Sequence, residues 1–255
     1  MKIYTFNDKV LTRNTRWLKE YEEPTPPTPS LPPYTIRMKF TEGVTPTFNV
    51  GSLVQVSSSP NIWDLTYAVD DWSGLSDECD NKSDIEEIID INASGVINMR
   101  RMFSNCASIT SAALSNTSSV TNMGEMFNGC TSLASVTLFD TSSVTDMNLM
   151  FCACASLTSI PLFNTSNVTN MRQMLFNCTS LTSLPLFDTS SVTNMFRTFM
   201  RCYNVQSGAL ALYQQASTQS TPPSNHESAF EDCGSNTDTG AAELAQIPYD
   251  WGGAS

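Results

Sequence analysis

Cysteines and carboxylates are the side chains in this sequence with the types and spacing for chemistry. Eight cysteines are present, and five of them, Cys106, Cys130, Cys154, Cys178 and Cys202, recur every 24 residues. Zinc knuckles need pairs such as C-x-x-C, and Cys152-Ala-Cys154 is too tight for one. Stacked copies of a repeat would bring the cysteine column within bridging distance. The apolar columns share the same spacing, however, and a buried free cysteine behaves as a small hydrophobe. The column therefore reads as reduced core thiols, with Cys79 outside it and undetermined.

Paired carboxylates offer a second chemistry, glycoside hydrolysis. Asp140 and Asp188 fall in one column two copies apart, about 9.6 Å by the spacing of stacked strands. That lies at the edge of the roughly 6.5–9.5 Å used by inverting glycosidases. Asn116 and Asn164 fill the same column, which is the composition of a turn ladder. Asp77, Glu78, Asp80 and Asp84 outline a calcium loop but lack its turn glycine and terminal glutamate, so they read as a solvated acidic helix start. His226 is the single histidine and sits in a polar stretch, with no nucleophile elbow or phosphate-binding glycine loop in the chain. No catalytic residue, cofactor or metal is expected, and the chain reads as a non-enzyme.

The elements that would position these residues are copies of one phrase. Its starts fall at Val96, Val120, Val144 and Val168, with a partial fifth copy at Val192, a period of 24 residues. Columns of Cys, of Ile109, Leu133, Leu157, Leu181 and Val205, and of Leu114, Leu138, Leu162, Leu186 and Leu210 read as core. One copy is too short to bury its apolar side, so the copies must stack into a solenoid. Met123, Met126, Phe127 and Cys130 have the spacing of a helical or 3₁₀ turn, and Leu133, Val136 and Leu138 lead into a short strand. Asn98, Asn122, Asp146, Asn170 and Asn194, and Thr117, Thr141, Thr165 and Thr189, form ladders suited to corners.

The wording Phe139-Asp-Thr-Ser-Ser-Val-Thr-Asp-Met147, then Met150-Phe151, Cys154 and Leu157-Thr-Ser-Ile160, resembles the BspA-like leucine-rich repeats of bacterial surface proteins. The resemblance spans roughly residues 90–205, with a degenerate copy at 230–233. It implies a leucine-rich solenoid used for adhesion and for protein or glycan binding, and it carries no catalytic residue.

Composition narrows the partners. The formal net charge is −12, which argues against nucleic acid, whose phosphates demand Lys/Arg patches. Ten acids and one lysine fall within residues 64–90, so the acidity says little about the repeat surface. No stretch approaches the length of a membrane span.

Residues 1–23 mix basic and aromatic side chains and contain no apolar run of signal-peptide type. A surface-type repeat without an export signal fits a bacteriophage virion protein, assembled in the host cytoplasm. Residues 24–33 are proline-rich and read as an extended spacer. The head before it is too small to fold alone, so it is either unordered or ordered by docking. Tyr4, Phe6, Arg13, Arg16, Trp17 and Leu18 are its candidate virion anchor.

Residues 34–95 read as a strand-rich cap, with strands at 34–40 and 53–56. Trp63, Leu65, Tyr67 and Trp72 form its lid, and Ser83-Asp-Ile-Glu86 reads as a capping box before a short helix ending near Ile89. The repeats occupy 96–207. Residues 208–255 form a helical C-terminal cap, with helices at 208–216 and 241–247 and the phrase resuming seven residues late at 229–233.

Binding is what the columns leave open. Core and corner positions hardly vary, whereas the fourth and fifth positions after each Val do. Arg100, Arg101, Glu125, Asn148, Arg172, Gln173, Phe196 and Arg197 on this helical face are the candidate binding surface. The fold expected is an α/β leucine-rich-repeat solenoid of 24-residue repeats with parallel strands and two caps. The function expected is a phage head or tail-fibre appendage on the virion surface. A capsid or tail protein would hold its N-terminus, and the repeats would face a host-surface or mucus glycan or protein. A homotrimer is a candidate assembly. A bacterial cell-surface adhesin is the alternative reading, and a polysaccharide depolymerase the third.

Overall fold

The computed structural model describes residues 4–6, 9–14 and 17–21 by their backbone, and residues 31–79 and 82–254 more fully. Two compact units divide at Ser30 and Leu31. In the first, β1 (Tyr4–Phe6), β2 (Lys9–Asn14) and β3 (Trp17–Tyr21) pair as an antiparallel meander. Most of the proline-rich segment lies outside the described residues.

The second unit is a mixed, sheet-dominated structure with few helices. Its six strands are β4 (Thr35–Phe40), β5 (Ser52–Ser58), β6 (Asn61–Thr66), β7 (Ile85–Asn92), β8 (Ser111–Ala112) and β9 (Ser135–Val136). They are ordered β5-β6-β4-β7-β8-β9. β4 pairs antiparallel with β6 and β7, and β7 pairs parallel with β8. Strand β7 is thus the hinge where an antiparallel sheet becomes a parallel one.

The sequence reading placed a short helix where β7 lies, because Ser83-Asp-Ile-Glu86 has the form of a capping box. The structure corrects it. Two register shifts against β4 pair Ile36, Met38 and Phe40 with Ile91, Ile88 and Ile85. All six side chains are buried. The bulges turn a three-residue period into a strand face, and four isoleucines in seven residues favour the pleat.

Beyond β7 the chain climbs in tiers. Parallel bridges link Asp71, Asn98, Asn122, Asp146, Asn170, Asn194 and Asn225 in succession. Thr121, Thr145, Thr169 and Thr193 each donate a backbone N–H to the carbonyl 24 residues earlier, all at 2.9 Å. Inside the tiers Val, Met, Cys and Leu side chains are buried in line. The rings of Phe103, Phe127 and Phe151 stack at 5.7 and 5.6 Å.

Three features depart from expectation. The strand ladder fades after β9 because Pro161 and Pro185 take the place where Ala113 and Thr137 donate to the tier below (2.9 and 3.1 Å); proline has no N–H to give. The segment expected as a helical turn is a run of β-turns. Met102, Ser104 and Cys106 donate to the carbonyls three residues back, while Met99, Arg101, Phe103 and Asn105 donate to the next tier. The third departure concerns the leucine column, taken as core. Leu138, Leu162 and Leu186 are 65, 59 and 53% exposed. Phe139, Phe163 and Phe187 are buried in its place, the last two in tight turns where their N–H groups donate to the carbonyls of Pro161 and Pro185.

An earlier tier escaped the sequence reading. Asp71 bridges Asn98, Trp72 N donates to Asn98 O and Gly74 N to Arg100 O, both at 2.7 Å. Trp72, expected as part of a lid, therefore holds the register of Met99, fully buried. Cys79 follows Asp71 by the eight residues that separate Asn98 from Cys106. At the other end α1 (Ala209–Thr218) absorbs the insertion before Asn225. Helix α2 (Asp238–Leu244) and Trp251 close over Phe230, whose ring lies 6.5 Å from the indole. Among the described residues no helix is long and apolar enough to cross a membrane.

Candidate binding face

The Asn/Asp column positions the candidate residues. Each side-chain oxygen accepts the backbone N–H two residues on: Asn98 from Arg100 (3.0 Å), Asn122 from Gly124 (2.9 Å), Asp146 from Asn148 (3.0 Å), Asn170 from Arg172 (3.1 Å) and Asn194 from Phe196 (3.1 Å). Such Asx turns pin the first candidate of every tier. The second candidate is left-handed throughout, with φ of 60° at Arg101, 58° at Glu125, 54° at Leu149, 52° at Gln173 and 54° at Arg197. A non-glycine residue costs about 1–2 kcal/mol there. The hydrogen bonds from each such residue's N–H into the next tier (2.7–3.1 Å) offset that cost. Side-chain identity is therefore free while direction is fixed.

These residues form two groups. At the lower end Arg100 and Arg101 are exposed. Arg100 pairs with Glu125, and Arg101 reaches Asp77 (3.3 Å) and Glu125 (3.7 Å). Lys82 joins Asp77 at 3.0 Å. This end is a neutralised ion network beside a shallow cleft of about 290 Å³ that Ser73, Gly74 and Asp77 also line. Asn148 lies between the groups, half-buried.

At the upper end the arginines meet rings instead. Arg172 and Arg197 lie over Phe196 at 5.5 and 4.7 Å, and Arg201 lies over Phe176 at 5.8 Å. Gln173 sits beside them, half-buried, its N–H donating to Phe196 O at 2.9 Å. Arg201 and Phe176 were missed by the sequence reading. Their column runs through Asn105, Gly129, Ala153 and Asn177 for one and Ser104, Asn128 and Cys152 for the other, and the change from small to large side chains is the signal that marks them. The exposed leucine ridge was missed as well, for the reason given above.

The other candidates resolve on geometry. Asp140 and Asp188 accept the backbone N–H of Ser142 and Ser190 at 2.9 Å. The hydroxyl and N–H of those serines hold both carboxyls below the usual carboxylate range. Burial pushes the thiols of Cys130, Cys154 and Cys178 up, and that of Cys202 to about 12. Cys130, Cys154, Cys178 and Cys202 donate Sγ–H to the carbonyls of Phe103, Phe127, Phe151 and Leu175 (3.1–3.2 Å). All eight cysteines are buried. Among the described residues no cluster of His, Cys, Asp and Glu is placed to hold a metal. Of the anchor candidates, Tyr4 and Phe6 lie in β1, Arg13 in β2, and Trp17 and Leu18 in β3; Arg16 lies outside the described residues.

Tiers built on one Asn-to-Cys register define a repeat protein with a variable outer face. Residues 70–181, 97–213 and 134–235 match the family model described as Mycoplasma protein of unknown function, DUF285. Together they span residues 70–235, more than half of the chain, and the chain belongs to that family. The match supports the BspA-like resemblance, and its start at residue 70 takes in the tier of Asp71. The crystal structure of a leucine-rich repeat protein from T. pallidum is similar at 17% identity, covering 67% of this chain and 81% of that one, with a TM-score of 0.32. No curated protein matches the chain.

Proposed function

We propose that the chain is a non-enzymatic binding protein, a bacteriophage virion appendage of the head or tail-fibre type. In this reading residues 1–23 dock on a capsid or tail protein, and a leucine-rich solenoid of 24-residue repeats faces a host-surface or mucus glycan or protein. The observation that carries it is the contrast within each tier. Backbone register, Asx turn and buried columns are repeated, while the residues at the fourth and fifth positions change from arginine to glutamate, asparagine, glutamine and phenylalanine. A scaffold that holds direction constant and lets chemistry vary suits recognition. The division of the chain at Ser30, within the proline-rich segment, supports a separate anchoring unit.

The depressed carboxyls of Asp140 and Asp188 count against the depolymerase reading, because a glycosidase needs one acid whose pKa is raised. A bacterial cell-surface adhesin is favoured by one observation, that the matching family is described from Mycoplasma. Mass spectrometry of purified phage particles beside shed bacterial envelopes separates the two. Stoichiometric peptides in intact particles are expected, and deletion of residues 1–23 should release the protein from them. Recovery from envelopes only would sink the virion reading.

A further inference from the structure

The upper group of arginines is anomalous in a chain with 25 acids and 13 basic residues. Among the described residues, the lower arginines Arg100 and Arg101 are bridged to carboxylates, whereas Arg172, Arg197 and Arg201 form no ion pair. Glu227, Glu231 and Asp232 are the acids of the tier beyond. Glu227 and Glu231 give their backbone carbonyls to Arg197 N (3.1 Å) and Arg201 N (2.9 Å), yet no carboxylate of that tier comes within ion-pair distance of the three guanidinium groups. Arg197 Nε is moreover buried with no hydrogen-bond partner. An unsatisfied buried donor is costly, and a carboxylate that draws the guanidinium outward relieves that cost.

Resting on the binding reading above, we propose that Arg172, Arg197 and Arg201, with Phe176 and Phe196, are the docking site for an acidic polypeptide segment of a partner protein. The composition selects the partner. Arginine and aromatic residues are side chains enriched at protein interfaces. These five offer guanidinium donors and apolar surface, with the Gln173 amide beside them, whereas sugar hydroxyls need acceptors in number as well as donors. Guanidinium groups already held over Phe196 and Phe176 lose little freedom when a carboxylate binds them. Arg172 comes from one tier and Arg197 and Arg201 from the next, about 4.8 Å away, close enough for neighbouring acidic residues of one segment to reach all three.

Fluorescence anisotropy of labelled poly-L-glutamate and labelled polygalacturonate, titrated with the full chain at low and high salt, tests the site. Poly-L-glutamate should bind and weaken with salt. Arg172→Gln, Arg197→Gln and Arg201→Gln should each lower affinity about tenfold, and the triple variant should abolish binding. Lys39→Gln, whose lysine pairs with Glu86 at 2.8 Å away from this face, should change nothing. Circular dichroism melts of every variant check that the fold is kept. Poly-L-glutamate left unbound, or bound equally by a folded triple variant, overturns the site. Binding of polygalacturonate alone overturns the polypeptide partner and assigns the patch to an acidic glycan. If the arginine site fails while the chain is still recovered from particles or envelopes, the binding role stands without it; absence from both removes the role itself.

Discussion

Phe151→Ala is the substitution that measures how the tiers hold together. Phe151 is fully buried, stacked on Phe127 at 5.6 Å and on Phe163 at 6.2 Å. Removing a buried phenylalanine costs about 3–5 kcal/mol, the transfer free energy plus the cavity left behind. Each aromatic pair adds about 0.5–1.5 kcal/mol beyond buried area. Two pairs are lost here, so the upper end is expected, about 4–5 kcal/mol. Phe103, stacked on Phe127 alone at 5.7 Å, should cost about 1 kcal/mol less on truncation. Neighbouring backbone tiers are tied by their own hydrogen bonds and cannot collapse into the void. For a unit of this size the melting temperature should fall by roughly 10–20 °C. Urea unfolding followed by tryptophan fluorescence reads the change, with Trp72 near one end of the stack and Trp251 at the other. A loss below about 1.5 kcal/mol, or a Phe103→Ala cost equal to that of Phe151→Ala, would refute the reasoning, because the ring would then not be a shared element of the core.

The left-handed column makes a second prediction. Gln173→Gly should leave thermal stability unchanged or raised, while Gln173→Val should lose about 1–2 kcal/mol, because a β-branched side chain is a steric outlier at a φ of 52°. Equal melting temperatures for the two variants would contradict the assigned backbone. The thiol column sets the response to alkali. A thiol whose folded pKa is raised binds its proton more tightly in the native state. Its contribution is therefore complete below the unfolded pKa, about 8.5, and is lost as pH rises through the folded value, about 12 for Cys202. Melting temperature should decline from about pH 8.5 upward, and Cys202→Ala should flatten that decline. A flat profile to pH 10.5 would count against neutral buried thiols.

Much of the site was legible because columns are a one-dimensional signal. The candidate positions were found by asking which residues change while their neighbours do not, and the Asx turns explain why that works: Asn98, Asn122, Asp146, Asn170 and Asn194 fix the backbone whatever follows. The grouping was not legible. Arg100 and Arg172 occupy the same column, yet one is neutralised by Glu125 from the next tier and the other lies over Phe196. That difference depends on what stands one tier away, and on Arg201 and Phe176 in columns the sequence reading did not single out. Asp71 to Cys79 could have been recognised by the eight-residue interval from Asn or Asp to Cys, which also holds from Asn225 to Cys233; a search tied to the 24-residue period passes over it.

By itself the sequence determined the period, the lining of valine, methionine, cysteine and leucine, the corner ladders and the helices near the C-terminus, because each of these is a local pattern whose chemistry is the same in every copy. Only the tertiary structure decided the rest. Two bulges against β4 made β7 a strand although its isoleucines are spaced like a helix, and the missing N–H of Pro161 and Pro185 ended the parallel ladder. At 162–163 and 186–187, as at 138–139 where no proline precedes, phenylalanine rather than leucine entered the core. In each case the deciding interaction lies between segments tens of residues apart, where periodicity within one copy carries no information.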